Sequence, residues 1–260
     1  MGAPTDSLAI LTYHSISSEP GPTSILPETF DAQMAALADA AVDVVGLDFV
    51  EAWMTGERRL ARPAIAVTFD DAFRDFADTA FPALDRHGFR ACVFAPTEIV
   101  GGVENWRGAN QPPRALMGWA AIRELSAAGV DFGSHTERHS DLTTLCDKAL
   151  EADLAKSRKK LEDMIGKSAP YFAPPYGRSN ARVRSAIARH YAMSVGVRLG
   201  RAHRSSPKFD LPRIEMHYFR DISRWRAFVG GGGRGYFAAR QTLRGVRALA
   251  ESAINRRAVM

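Results

Sequence analysis

The chain has 260 residues, 46% hydrophobic and 24% charged, with a formal charge of +5, enough apolar material to bury the core of one large α/β domain. Two cysteines, Cys92 and Cys146, are too few for a disulfide framework, and no run approaches the ~18 apolar residues of a membrane span. The charge is local: residues 230–260 carry six arginines against one acid, Glu251, and so account for the whole excess, which describes a basic tail and argues against a nucleic-acid-binding body.

The first stretch, "MGAPTDSLAILTYHS", has no basic region before its short apolar run and does not read as a secretory signal. A cytoplasmic protein is therefore expected, peripheral at the inner membrane face if the basic tail engages lipid. Short apolar runs then alternate with amphipathic ones, the pattern of successive βα units. Strands are predicted at 8–13, 64–69, 90–95, 130–134, 169–173, 193–197 and 212–218.

Helices fall between them. Pro27 and Glu28 open one with Phe30, Met34 and Leu37 on a single face. A second runs from Asp75 to Arg86 and stops at Gly88, and a third, in "MGWAAIRELSAAG", stops at Gly129, a common C-terminal glycine signal. The longest, from about Leu145 to Ile165, buries Leu150, Leu154, Leu161 and Ile165 and turns its lysines outward. The segment 101–116 is a long loop carrying Trp106, and "GGGG" at 230–233 reads as a hinge between a barrel (1–229) and a C-terminal helix (230–260).

Polar residues with catalytic chemistry stand where predicted strands end. His14 follows the first; Asp70 and Asp71 end "AIAVTF"; His135 follows "VDFGS", with His139 behind it; "APYFA" runs into "PPYG". Each has a plain structural explanation alone. "FDD" can cap a helix, two histidines can be solvated, His14 can be a core residue, and "PPYG" can be a turn. Together, one carboxylate and two imidazoles make three ligands with a position left for water, the arrangement of a catalytic metal. The second carboxylate can then accept the proton of a water whose pKa a cation lowers to about 7. In a parallel βα barrel, such chemistry collects at the strand ends.

"TFDD", "HTERH" and "APPYG", in that order over roughly residues 8–218, resemble the polysaccharide deacetylase (NodB-homology) family of metal-dependent carbohydrate esterases. That resemblance implies an irregular, TIM-like (β/α) barrel, often seven-stranded in the family, and hydrolysis of an N-acetyl group on a sugar. By position it implies Asp70 as general base, Asp71, His135 and His139 as ligands of a divalent metal, zinc first, and Tyr176 as an oxyanion N–H donor beside Pro175. Cobalt, nickel or manganese would suit the same ligands. Two departures follow. Many members carry an arginine at the position of Ala173 to orient the base, and Arg213 is the expected substitute. Many supply the acid from a histidine ending the last strand, where this chain has "RIEMH". "LAILTYH" instead has the form seen at the start of poly-N-acetylglucosamine deacetylase-type members, so His14 is preferred to His217 as the acid.

The expected function is thus a metal-dependent de-N-acetylase acting on an amino-sugar saccharide, free or lipid-linked, in exopolysaccharide or envelope biosynthesis. A non-sugar amide hydrolase and an inactive saccharide-binding homologue are the alternatives. Residues 236–256 read as a basic amphipathic helix, with Phe237, Leu243, Val246, Leu249, Ala250 and Ile254 on its apolar side. It is expected to dock on the barrel; contact with anionic lipid is the second reading.

Overall fold

Alternation along the strands decides which side of the sheet each residue faces. In the computed structural model, which describes residues 7–19, 21, 23–232 and 235–243, Leu8 and Ile10 of β1 (Ser7–Tyr13) join one apolar cluster with Ala64 and Ala66 of β2 (Ala64–Phe69). Their neighbours Ala9, Leu11, Ile65, Val67 and Phe69 join a second cluster. A sheet buried on both faces must be covered by helices on the outside and closed or plugged within.

It is closed. β3 (Cys92–Ala95), β4 (Asp131–Ser134), β5 (Tyr171–Phe172), β6 (Met193–Leu199) and β7 (Leu211–Glu215) follow in order, all parallel to their neighbours. β7 pairs back onto β1, with Leu11 opposite Ile214, and β1 pairs with β2 from Ala9–Ile65 to Tyr13–Phe69. The result is a seven-stranded parallel (β/α) barrel. Among the described residues four short strands lie outside it: Asp43–Val45 beside β2, Ala202–His203 antiparallel to β1, and the parallel pair Ser15–Ile16 and Ser24–Ile25.

The helices are α1 (Pro27–Asp39), α2 (Leu47–Thr55), α3 (Phe81–Asp85, entered through a π turn at Phe76–Ala80), α4 (Trp119–Ala127), α5 (Asp147–Ile165), α6 (Ala181–His190) and α7 (Ile222–Val229). Phe30, Met34 and Leu37 are the buried stripe of α1, and Leu150, Leu154 and Leu161 that of α5, while Ile165 is only partly covered. Tyr13, Phe30, Phe69 and Phe76 form an aromatic group in which Tyr13 stacks on Phe69 at 5.2 Å and Phe69 meets Phe76 edge-on at 4.7 Å. This group fixes the last residues of β1 and β2, directly before His14 and Asp70.

Two expectations change at this level. The final strand ends at Glu215 instead of reaching Tyr218, because Met216–Phe219 turns into a 3-10 helix in which the Glu215 carboxylate accepts from the His217 N–H. The glycines at 230–232 close α7: the N–H of Gly230 reaches Arg226 O and that of Gly231 reaches Phe228 O. Residues 235–243 are helical and dock, the Tyr236 hydroxyl donating to Tyr218 O at 2.7 Å and Gln241 to Leu199 O at 2.9 Å. Phe237 lies against Phe228, whereas Leu243 is exposed; Val246, Leu249, Ala250 and Ile254 lie outside the described residues.

Candidate active site

Because all seven barrel strands run the same way, their C-terminal ends meet at one mouth, and the residues singled out in the sequence collect there. A cavity of about 220 Å³ is lined by His14, Asp70, Asp71, His135, His139 and Tyr176 among others. His217 is not part of this lining and is exposed on the 3-10 turn beyond β7. Pro175, the residue before Tyr176, is buried.

Asp70 extends the inward-facing series of β2. Arg213, 1% exposed, grips it with a fork, Nη1 to Oδ1 at 2.7 Å and Nη2 to Oδ2 at 2.6 Å. The same guanidinium donates to Gly196 O at 2.8 Å and to Thr68 Oγ1 at 3.1 Å, so its direction is fixed by the barrel wall. The β6–β7 register shifts between Leu211 and Arg213, an irregularity at the residue that turns inward to meet the carboxylate. Burial pushes the Asp70 carboxyl up, and the Arg213 charge and its hydrogen bonds outweigh that and hold it below the ordinary value.

Asp71 breaks from the strand with φ 72°, and its neighbour Ala72 has φ 55°. Two adjacent carboxylates can converge on one site only through such a turn, since successive strand residues point to opposite faces. Thr136, His139 and Tyr176 are the other non-glycine residues with positive φ among those described. All five belong to the site or adjoin it, a concentration of backbone strain of the kind found at functional centres.

Asp71 Oδ1 lies 3.2 Å from His139 Nε2 and 3.4 Å from His135 Nε2, and it accepts no hydrogen bond of acceptable geometry. Burial raises its pKa; the two imidazoles outweigh burial and hold it well below the carboxylate range. The histidines shift in opposite senses. Burial pulls both down, but the Asp71 and Asp70 carboxylates carry His135 above its usual value, while His139 stays below. His135 Nδ1 donates to Ala173 O at 2.6 Å, which leaves its Nε2 lone pair facing Asp71, the tautomer that suits a ligand.

These residues fit a cation. Asp71 is a buried carboxylate without a cationic side chain, in contrast to Asp70, and a buried charge needs a countercharge. Two donors each about 2.1 Å from one tetrahedral ion lie about 3.4 Å apart, close to the separations found here. The ligand atoms of Asp71, His135 and His139 all fall within 4.8 Å of one another.

His14, directly after β1, places Nε2 at 3.9 Å from Asp70 Oδ2, beyond a direct hydrogen bond. The turn after it is tied to Asp75, which accepts from Ser15 Oγ at 2.5 Å and from the Ile16 N–H at 3.0 Å. The remaining wall was not predicted as part of the site: Trp106, Arg107 and Gly108 from the β3–α4 segment, Thr23, Arg114 and Val197. Trp106 lies in the long loop seen in the sequence, where no neighbouring residue signals a pairing with His139.

The family profile for polysaccharide deacetylase matches residues 57–195. The protein YxkH of Bacillus subtilis (strain 168) is 26% identical over 211 residues, covering 80% of this chain and 71% of its own. Among solved structures, the Streptococcus pyogenes deacetylase PplD in complex with acetate superposes with a TM-score of 0.72 at 23% identity, over 82% of this chain and 93% of that one. IcaB from Ammonifex degensii gives 0.70 at 21% identity, over 87% and 98%. The two structures share the fold.

Proposed function

Because this chain belongs to the polysaccharide deacetylase family, we propose that it is a metal-dependent hydrolase that removes N-acetyl groups from an amino-sugar saccharide of an exopolysaccharide or envelope pathway. The observation that carries the reading is the juxtaposition of two differently held carboxylates at one mouth: Asp71 facing two imidazoles and Asp70 locked to Arg213. The cavity is smaller than a drug-sized pocket of about 300–1,000 Å³ and suits an acetamido group with part of one ring, the rest of the saccharide lying over the rim.

When bound, a divalent cation at Asp71, His135 and His139 supplies Lewis-acid polarisation and a water of lowered pKa. Asp70 remains ionised at neutral pH under the charge of Arg213 and accepts the proton of the attacking water. Tyr176 sits on the cavity wall, where its backbone N–H can meet the developing oxyanion. His14 is left to protonate the departing amine, because its distance from Asp70 keeps it from being tied up as that residue's partner. Ala173 contributes through its carbonyl, which orients His135.

The test is acetate release from acetylated chito-oligosaccharides, run beside a panel of small N-acetyl amides, with zinc, cobalt, nickel or manganese supplied. Wild-type protein should release acetate from the saccharides, and Asp70→Asn should lower turnover by about 10²–10⁴-fold with the metal content unchanged. Undiminished turnover in D70N, or release only from the small amides, would overturn the assignment.

A further inference from the structure

The two histidines of the cluster are held in different ways. His135 has the Ala173 carbonyl behind it, whereas the Nδ1 of His139 is buried with no hydrogen-bond partner. A ligating imidazole ordinarily donates its second N–H to an acceptor that fixes its plane, and without one the ring torsion is soft. The backbone adds no regular element, since His139 has φ 58° in a loop. What bounds the ring is aromatic: Trp106 stacks on it at 4.2 Å and 26°, and Tyr176 meets it edge-on at 4.6 Å.

We propose that Trp106 is a positioning residue for His139, and that the buried Glu104–Arg114 ion pair is the latch that holds Trp106 in place. The inference rests on the metal-site reading above. Trp106 belongs to the tip of an excursion whose stem is an antiparallel ribbon: Gly101 N–H reaches Met117 O, Leu116 N–H reaches Gly102 O, and Glu104 N–H reaches Arg114 O. At the top of the stem, Arg114 forks onto Glu104, Nε to Oε1 at 2.7 Å and Nη2 to Oε2 at 3.0 Å. The Arg114 backbone N–H joins Oε1 at 3.0 Å. Glu104 is 1% exposed and Arg114 7%.

Arg114 also reaches two other loops of the mouth. Its guanidinium lies 4.1 Å over the ring of Phe73, two residues past Asp71, and its Nη1 is 3.2 Å from Ser24 Oγ in the segment that follows His14. Phe73 in turn flanks Trp106, with ring centroids 6.2 Å apart. A buried ion pair adds little net stability; its best-attested use is to specify one arrangement over others. Here the arrangement is the seat of Trp106.

The proposal is tested on the full chain by zinc affinity, measured by competition with a chromophoric chelator, and by 19F NMR of 5-fluorotryptophan-labelled protein. Trp106→Ala should weaken zinc binding by about 10–100-fold, and Trp106→Phe, which keeps a stacking ring, should restore most of it. The paired change Glu104→Gln with Arg114→Met removes both charges, so none is left buried alone. It should weaken zinc in the same sense and move the 19F resonance that W106F deletes toward that of the free amino acid. Wild-type zinc affinity in W106A with only a raised KM would overturn the proposal and make Trp106 a saccharide platform. An unmoved resonance in the doubly changed protein would overturn the latch, and if that protein fails to unfold cooperatively, the W106A and W106F pair decides alone. Neither readout needs turnover. Absence of acetate release would therefore sink the proposed function and leave this inference standing, while wild-type protein that binds no zinc would sink both.

Discussion

Asp70 and Asp71 are neighbours in the chain and opposites in setting. Asp70 keeps the inward direction of β2 and meets a fixed guanidinium; Asp71 leaves through φ 72° and meets two imidazoles. The sequence makes the pair visible because adjacent carboxylates at the end of an apolar strand are costly without partners. Arg213 as partner is legible only through the family resemblance, since it is there that an arginine is expected at the place of Ala173 to orient the base. Replacing Arg213 by Met leaves Asp70 buried and unpaired. Its carboxyl, now depressed by the guanidinium, should rise once that charge is gone, and the acid limb of kcat/KM against pH should move up with it. The sign follows from linkage: a depressed carboxyl contributes stability above its unfolded pKa that is lost as pH falls through the folded one. R213M should thus also be less stable at pH 7, by about 3–5 kcal/mol, and D70N/R213M should recover much of that in urea unfolding. An acid limb that stays in place would show that Arg213 does not set the charge state of Asp70.

At the scale of elements, the barrel strands were legible because each is a buried apolar run too short for a helix. α2, α6, α7 and the short strand Asp43–Val45 were not. α6, "ARVRSAIARH", buries only Val183, Ala186 and Ile187 within a polar segment, and its start is marked by Asn180, whose side chain accepts from the Val183 N–H. The last strand was drawn too long because "EMHY" alternates in sequence, while the Glu215 carboxylate makes a turn there. One element acts on the site from behind. Asp153 of α5, 6% exposed, accepts from the Glu137 N–H at 3.1 Å and so pins the turn between His135 and His139. Burial pushes its carboxyl up to about 6. A raised carboxyl means the folded state binds the extra proton, so stability falls as pH rises from about 4 to about 6 and stays at the lower level beyond. Asp153→Asn keeps the acceptor and removes the charge. It should be more stable than wild type at pH 7, by on the order of 2–3 kcal/mol, with the difference fading by pH 4. Asp153→Ala, which removes the acceptor as well, should lack that gain. Equal urea midpoints for D153N and wild type at pH 7 would show that the ionised carboxylate carries no penalty.

On the scale of the whole molecule, function depends on closure. β1 is hydrogen-bonded to both β2 and β7, and that pairing carries Arg213 from one end of the sequence to Asp70 near the other and brings His14 to the same mouth. This is why a linear reading separates the acid candidates only by pattern, whereas the closed sheet separates them by place: His14 lines the cavity and His217 does not. A ligand that joins Asp71 after β2 to His135 and His139 after β4 binds only when the barrel is closed, since the unfolded chain holds no preformed site. Zinc at 1,000 times its Kd should therefore add about 4 kcal/mol to stability. For a domain of this size that is a rise in Tm of roughly 8–16 °C. Asp71→Asn should abolish the rise, because it removes the anionic ligand. His217→Ala should leave both the rise and acetate release intact, because that side chain stands outside the cavity; His14→Ala should keep the rise and lose turnover. Thermal unfolding with zinc and with excess chelator, run beside an acetate-release assay on the same four proteins, measures all of these. A full rise in D71N would show that the stabilising ion binds elsewhere on the barrel.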